Sequence, residues 1–99
     1  MSPPRRDEVL DILRSHKAEF FDSFGITSFG IFGSVARDEA AERSDVVIVF
    51  ATDMPNLFRT ACMKQRLEAL LCRHVDIIRW RESINPRLKA RIASEVCYV

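Results

Sequence analysis

The sequence predicts a single α/β domain over residues 1–99, a small mixed sheet flanked by helices in the order α-β-α-β-α-β-α. Three observations carry that expectation. Short runs rich in β-branched and aromatic residues occur at 26–32, 46–50 and 75–80. Apolar residues recur at helical spacing before, between and after them. Gly, Ser, Asn and Pro mark the junctions.

Ser2 followed by Pro3 reads as an N-cap with proline in the first turn, and Val9, Ile12, Leu13, His16 and Phe20 continue at helical spacing. A first helix is therefore expected to about Phe21, closed by Gly25. Ile26 to Phe32 follows as a strand. Gly33 and Ser34 break it, and Val35 to Ala41 is compatible with a short helix. Val46 to Phe50 lacks polar alternation, as expected of a central strand covered on both faces. Asp53 and Pro55 open a helix carrying Met63, Leu67, Leu70 and Leu71. Val75 to Trp80 returns to strand character, and Asn85 with Pro86 opens a last helix containing Leu88, Ile92 and Val96. Helices between strands favour parallel pairing, but the short passage from first to second strand leaves a mixed sheet open.

Composition restricts the function classes. With 47% hydrophobic and 29% charged residues the chain is expected to fold, and 99 residues leave no room for a separate substrate domain. The longest apolar run, Val46 to Ala51, is far short of the roughly 20 residues of a membrane helix. The N-terminus has no secretory pattern, so a cytoplasmic location is expected. A net charge of +1 disfavours a general nucleic-acid binder. Charge is nevertheless uneven: residues 72–99 hold six basic and three acidic side chains, a solvated face or a surface for phosphates or an acidic partner. Cys62, Cys72 and Cys97 are odd in number and unpaired in spacing, which predicts reduced, mostly buried thiols. His16 and His74 read as packing or surface residues, and Trp80 and the seven phenylalanines chiefly as core.

Three features stand out together: Gly33-Ser34 at the end of the first strand, Ser44-Asp45 at the start of the second, and Asp76 inside the third. Singly, each has an ordinary explanation as a turn, a loop pair or a locally hydrogen-bonded carboxylate. An unpaired Asp76 among Val75, Ile77 and Ile78 would be costly, so it is expected to need a partner. If the second and third strands are neighbours, Asp45 and Asp76 converge at one edge of the sheet and offer hard oxygen ligands to Mg²⁺. A glycine-serine turn nearby supplies free N–H groups and a hydroxyl, which suit a triphosphate.

The segment GSVARDEAAERSDVVIVF resembles the signature of polymerase β-type nucleotidyltransferases: a glycine-serine pair, ten intervening residues, then Asp-x-Asp. Together with HVDII around Asp76 and the closing INPRLKARIASEVCYV, the chain is similar to the minimal nucleotidyltransferases of bacteria and archaea over nearly its whole length. The resemblance implies a polymerase β-like fold. It assigns Asp45 and Asp76 to catalysis and to Mg²⁺ or Mn²⁺, and Gly33, Ser34 and Arg37 to the phosphates of ATP or another NTP. For Arg37 a salt bridge fixing the turn is an equal alternative. It also implies antitoxins that add AMP to a tyrosine of a partner HEPN-domain toxin, in a hetero- or homo-oligomer, with a protein rather than a nucleic acid as acceptor.

The departure is Val47, which stands where the family has its second Asp. Alternate strand residues point the same way, about 6.6 Å apart, so positions 45 and 47 would both reach the metals in the family arrangement. Valine offers no oxygen. Two readings therefore stand at this point: a metal-dependent transferase, and a protein that keeps the fold and neutralises its partner by binding alone.

Overall fold

The computed structural model describes residues 4–41 and 44–99. The expected first N-cap at Ser2 and Pro3 lies outside them. The elements are α1 (Arg6–Ser15), α2 (Lys17–Phe24), β1 (Ile26–Phe32), β2 (Val46–Thr52), α3 (Leu57–Leu71), β3 (Val75–Arg79), α4 (Pro86–Glu95) and β4 (Cys97–Tyr98). The four strands form one mixed sheet in the order β3-β2-β1-β4. β1 is antiparallel to both β2 and β4, whereas β2 and β3 are parallel.

The small mixed sheet flanked by helices is as expected, but four local expectations need correction. The single helix to Phe21 is two helices, because His16 leaves helical geometry at φ −112°, ψ 9°. Its Nδ1 lies 2.9 Å from the Ile12 carbonyl oxygen, a side-chain contact at the point where the helix breaks. Gly25, at φ 65°, then ends α2 in the left-handed conformation that glycine adopts without a Cβ clash. Val35 to Ala41 is not a helix. A tight turn takes its place, held by Arg37 N–H to Gly33 O at 3.1 Å and Glu39 N–H to Ser34 O at 2.8 Å, with Asp38 at φ 58° stopping propagation. α3 starts at Leu57 rather than at Asp53, because Asn56 caps it by accepting the Arg59 N–H at 3.0 Å. The short β4 is an addition. A Cβ on Gly30 would overlap the Cys97 backbone, so the bare glycine is what lets β4 pair there.

Strand alternation divides the apolar residues between the two sheet faces. On one face Phe29, Ile31, Val46, Ile48, Phe50 and Val75 pack with Leu13, Phe20, Met63 and Leu67 of the first three helices. Each such fully buried side chain contributes about 1.5–3 kcal/mol. On the other face Phe32 and Val49 pack with Ile92 of α4, and Val47, Ile78, Trp80, Leu88 and Val96 lie against this smaller cluster. The cysteines are free as expected, but none is fully buried: Cys62 and Cys97 are half-buried and Cys72 is exposed. Phe58 is also outside the core, 79% exposed. Among the described residues, no helix is long and apolar enough to cross a membrane.

Candidate active site at the start of the two parallel strands

The parallel register of β2 and β3 sets the site. Val46 pairs with Val75 and Val47 with Asp76, while the Val46 N–H donates to His74 O at 3.2 Å. One residue earlier, Asp45 therefore lies beside His74. Because side chains alternate, Asp45 and Val47 on one strand and His74 and Asp76 on the other form a four-cornered patch on the face covered by α4.

Three of those corners are polar and close together. His74 Nδ1 is 3.4 Å from Asp45 Oδ2 and 3.9 Å from Asp76 Oδ1, and one ligand atom from each residue lies within 4.8 Å of the others. Their side chains are 50–55% exposed. The expectation that Asp76 needs a partner because it is enclosed in an apolar strand is thus corrected: β3 is the sheet edge, and water reaches the carboxylate. Two carboxylates and an imidazole facing solvent fit a divalent cation, since hard oxygen donors and open positions for water are what such an ion needs.

The fourth corner is Val47, half-buried against the Phe32, Val49 and Ile92 cluster. Gly33 covers it. A Cβ on that glycine would stand 3.9 Å from Val47 Cγ2, so space is ample and the φ of +84° is what favours glycine there. The Gly33-Ser34 turn is anchored from beneath by buried Val35 and Ala36. Arg37 binds Glu39 Oε2 at 3.3 Å and Glu95 Oε1 at 3.1 Å. It ties the turn to the end of α4, the salt-bridge alternative that the sequence left open, and a phosphate would have to displace two carboxylates to reach it.

His74 is the residue that reading by type passed over. Its signal was present as His-x-Asp at the entry to a strand, where extended backbone puts residues 74 and 76 on one face. A sizeable concavity lies elsewhere among the described residues. A cleft of about 510 Å³, lined by Leu57, Thr60, Arg79, Arg81, Ile84 and Leu88, opens at the far ends of β2 and β3, and none of the three polar corners lines it. Chemistry rather than cavity size therefore identifies the candidate site.

A family model described as polymerase beta, nucleotidyltransferase matches residues 15–98. The protein adenylyltransferase MntA of Thermococcus cleftensis is 36% identical over 94 residues, covering 94% of each chain. A solved structure described as a candidate minimal nucleotidyltransferase superposes with a TM-score of 0.75 at 33% identity, covering 91% of this chain and 92% of that one. A chain from a toxin–antitoxin structure with AMP-PNP gives a TM-score of 0.66 at 18% identity, over 94% of this chain and 70% of that one, a likeness of fold.

Proposed function

We infer, from the premise that the chain belongs to the polymerase β nucleotidyltransferase family, that it transfers AMP from ATP to a hydroxyl group of a partner protein. The observation that carries this reading is the convergence of Asp45 and Asp76 beside the Gly33-Ser34 turn. The adenylyltransferase name of the T. cleftensis relative supports the reaction class.

In this reading Asp45 and Asp76 hold Mg²⁺ or Mn²⁺, and the Gly33-Ser34 turn offers backbone N–H groups and the Ser34 hydroxyl to the triphosphate. A bound divalent ion supplies the positive charge that offsets charge on the α-phosphate and on departing pyrophosphate. Arg37 positions the turn through Glu39 and Glu95. The acceptor oxygen forms a bond to the α-phosphorus, the bond to pyrophosphate breaks, and the hydroxyl proton passes to solvent or a nearby base. The acceptor is a tyrosine of a HEPN-domain toxin, which makes the protein an antitoxin of the cytoplasm, where ATP is supplied. Exposed Met54, Leu57 and Phe58, the latter two 90% and 79% accessible, favour a protein partner over a nucleic acid.

A second reading, neutralisation by binding without turnover, draws on one observation: the corner that the family fills with Asp holds Val47, packed on an apolar cluster. One assay separates the two. Incubation with α-labelled ATP, Mn²⁺ and the partner encoded beside this chain should place label on the partner. A stable, non-toxic complex that carries no label would establish binding alone.

A further inference from the structure

The geometry points to His74 as a metal ligand that occupies the corner diagonal to Val47, so that the site is a carboxylate–imidazole–carboxylate triad selecting transition-metal ions over Mg²⁺. This rests on the metal-dependent reading above and deepens it. A site that merely lost its second Asp would leave two carboxylates, enough for a weakly held hydrated cation. Here the parallel register puts a nitrogen donor beside Asp45 and on the same face as Asp76.

The spacing agrees with shared coordination. Ligand atoms about 2.0–2.2 Å from one tetrahedral ion stand roughly 3.3–3.6 Å apart. The separations of 3.4 and 3.9 Å from His74 Nδ1 to the two carboxylates are close to that, and their half-exposed side chains can close the remainder by small rotations. Nδ1 is the ring atom nearest both carboxylates, leaving Nε2 to solvent or an acceptor. Donor chemistry then determines the preference. Mg²⁺ favours oxygen ligands in near-ideal octahedral geometry, whereas imidazole suits later first-row ions, whose affinities rise from Mn²⁺ through Co²⁺. Exchanging an oxygen corner for a nitrogen corner should weaken Mg²⁺ and strengthen Co²⁺. Val47, packed on the Phe32, Val49 and Ile92 cluster, offers no donor at the remaining corner.

The test is calorimetric titration of the intact protein with Co²⁺ and Mg²⁺, repeated with His74→Ala, Asp45→Ala and Asp76→Ala. The visible Co²⁺ spectrum distinguishes nitrogen and oxygen ligands from thiolates such as exposed Cys72. His74 lies half-exposed in a loop, so its replacement should leave the fold intact by circular dichroism. We expect His74→Ala to lower Co²⁺ affinity at least about 10-fold and to change Mg²⁺ affinity less than about 2-fold. Each Asp variant should weaken both ions. If His74→Ala binds Co²⁺ as the parent does while the Asp variants lose it, the His74 role is refuted and the two-carboxylate site stands. If Co²⁺ binds with a thiolate spectrum, or neither ion binds, the triad is refuted together with the metal site.

Discussion

The two faces of the sheet are built for different work. The face under α1, α2 and α3 is closed by Leu13, Phe20, Phe29, Ile48, Met63 and Leu67, all at most 1% exposed. Among the described residues, the face under α4 has only Phe32, Val49 and Ile92 buried in its cluster, and at the start of β2 and β3 it opens to Asp45, His74 and Asp76. In so small a chain the larger of the two apolar clusters must supply most of the stability, and three of the four described helices pack on its face. The other face is left partly uncovered, which leaves the Asp45, His74 and Asp76 side chains open to solvent.

The contrast can be broken most strongly from the closed face. Phe29→Ala removes a ring that packs against Phe20 and Phe21, with centroids 5.4 and 6.1 Å away, and should cost about 3–5 kcal/mol in denaturant unfolding. That is a large share of the stability of so small a domain. A loss below about 1 kcal/mol would mean that this face is not the principal core.

Val47→Asp probes the open face. Because Val47 is half-buried at the edge of its cluster, the variant should stay folded, with the new carboxylate beside Asp45 and Asp76. Without metal the three carboxylates repel one another, so its melting temperature should rise on adding Mg²⁺ more than that of the parent. A recovered ligand contributing about 3 kcal/mol to the transition state would raise AMP transfer to the partner on the order of 100-fold. A folded, metal-binding variant that still leaves the partner unlabelled would favour neutralisation by binding alone.

The smallest effect belongs to the rim of the closed face. Arg66 of α3 grips Glu19 of α2 through two hydrogen bonds, 2.8 and 3.1 Å, and these hold the Glu19 carboxyl below its ordinary value of 4.5. Since the native pKa is the lower one, the pair stabilises the fold fully above that ordinary value and loses its contribution as pH falls through the native value. The stability gap between the parent and Glu19→Gln should therefore be small at neutral pH, shrink with salt and vanish on acidification. A gap that widened in acid would reverse this assignment.

Much of this division is legible in the residues themselves. The unbroken apolar run of β2 announces a strand covered on both sides, and Asn85-Pro86 announces the start of α4. Gly33-Ser34, Asp45 and Asp76 stand out because together they resemble a known nucleotidyltransferase signature, whereas each alone has an ordinary explanation. Less visible were features that depend on tertiary contact. The break at His16 involves a side chain competing for a helical carbonyl, and β4 exists because Gly30 lets a two-residue tail approach. The turn after Ser34 has helix-compatible residues, yet Asp38 adopts a left-handed conformation, with one carboxylate oxygen accepting the Arg6 N–H at 3.2 Å, across 32 residues of chain. His74 was hidden for another reason: a histidine in a loop is ordinary until the register of β3 on β2 brings it beside Asp45.

The account's central claim is that the open corner of the sheet binds a divalent ion and nucleotide together. It is tested most directly by titrating ATP into the parent and into Asp76→Ala, each with and without Mn²⁺. The carboxylate is about half exposed, so Asp76→Ala should match the parent in thermal unfolding, yet lose at least about 10-fold in Mn²⁺-dependent ATP affinity. A folded Asp76→Ala protein that binds ATP and Mn²⁺ as tightly as the parent would contradict the claim and place the nucleotide elsewhere.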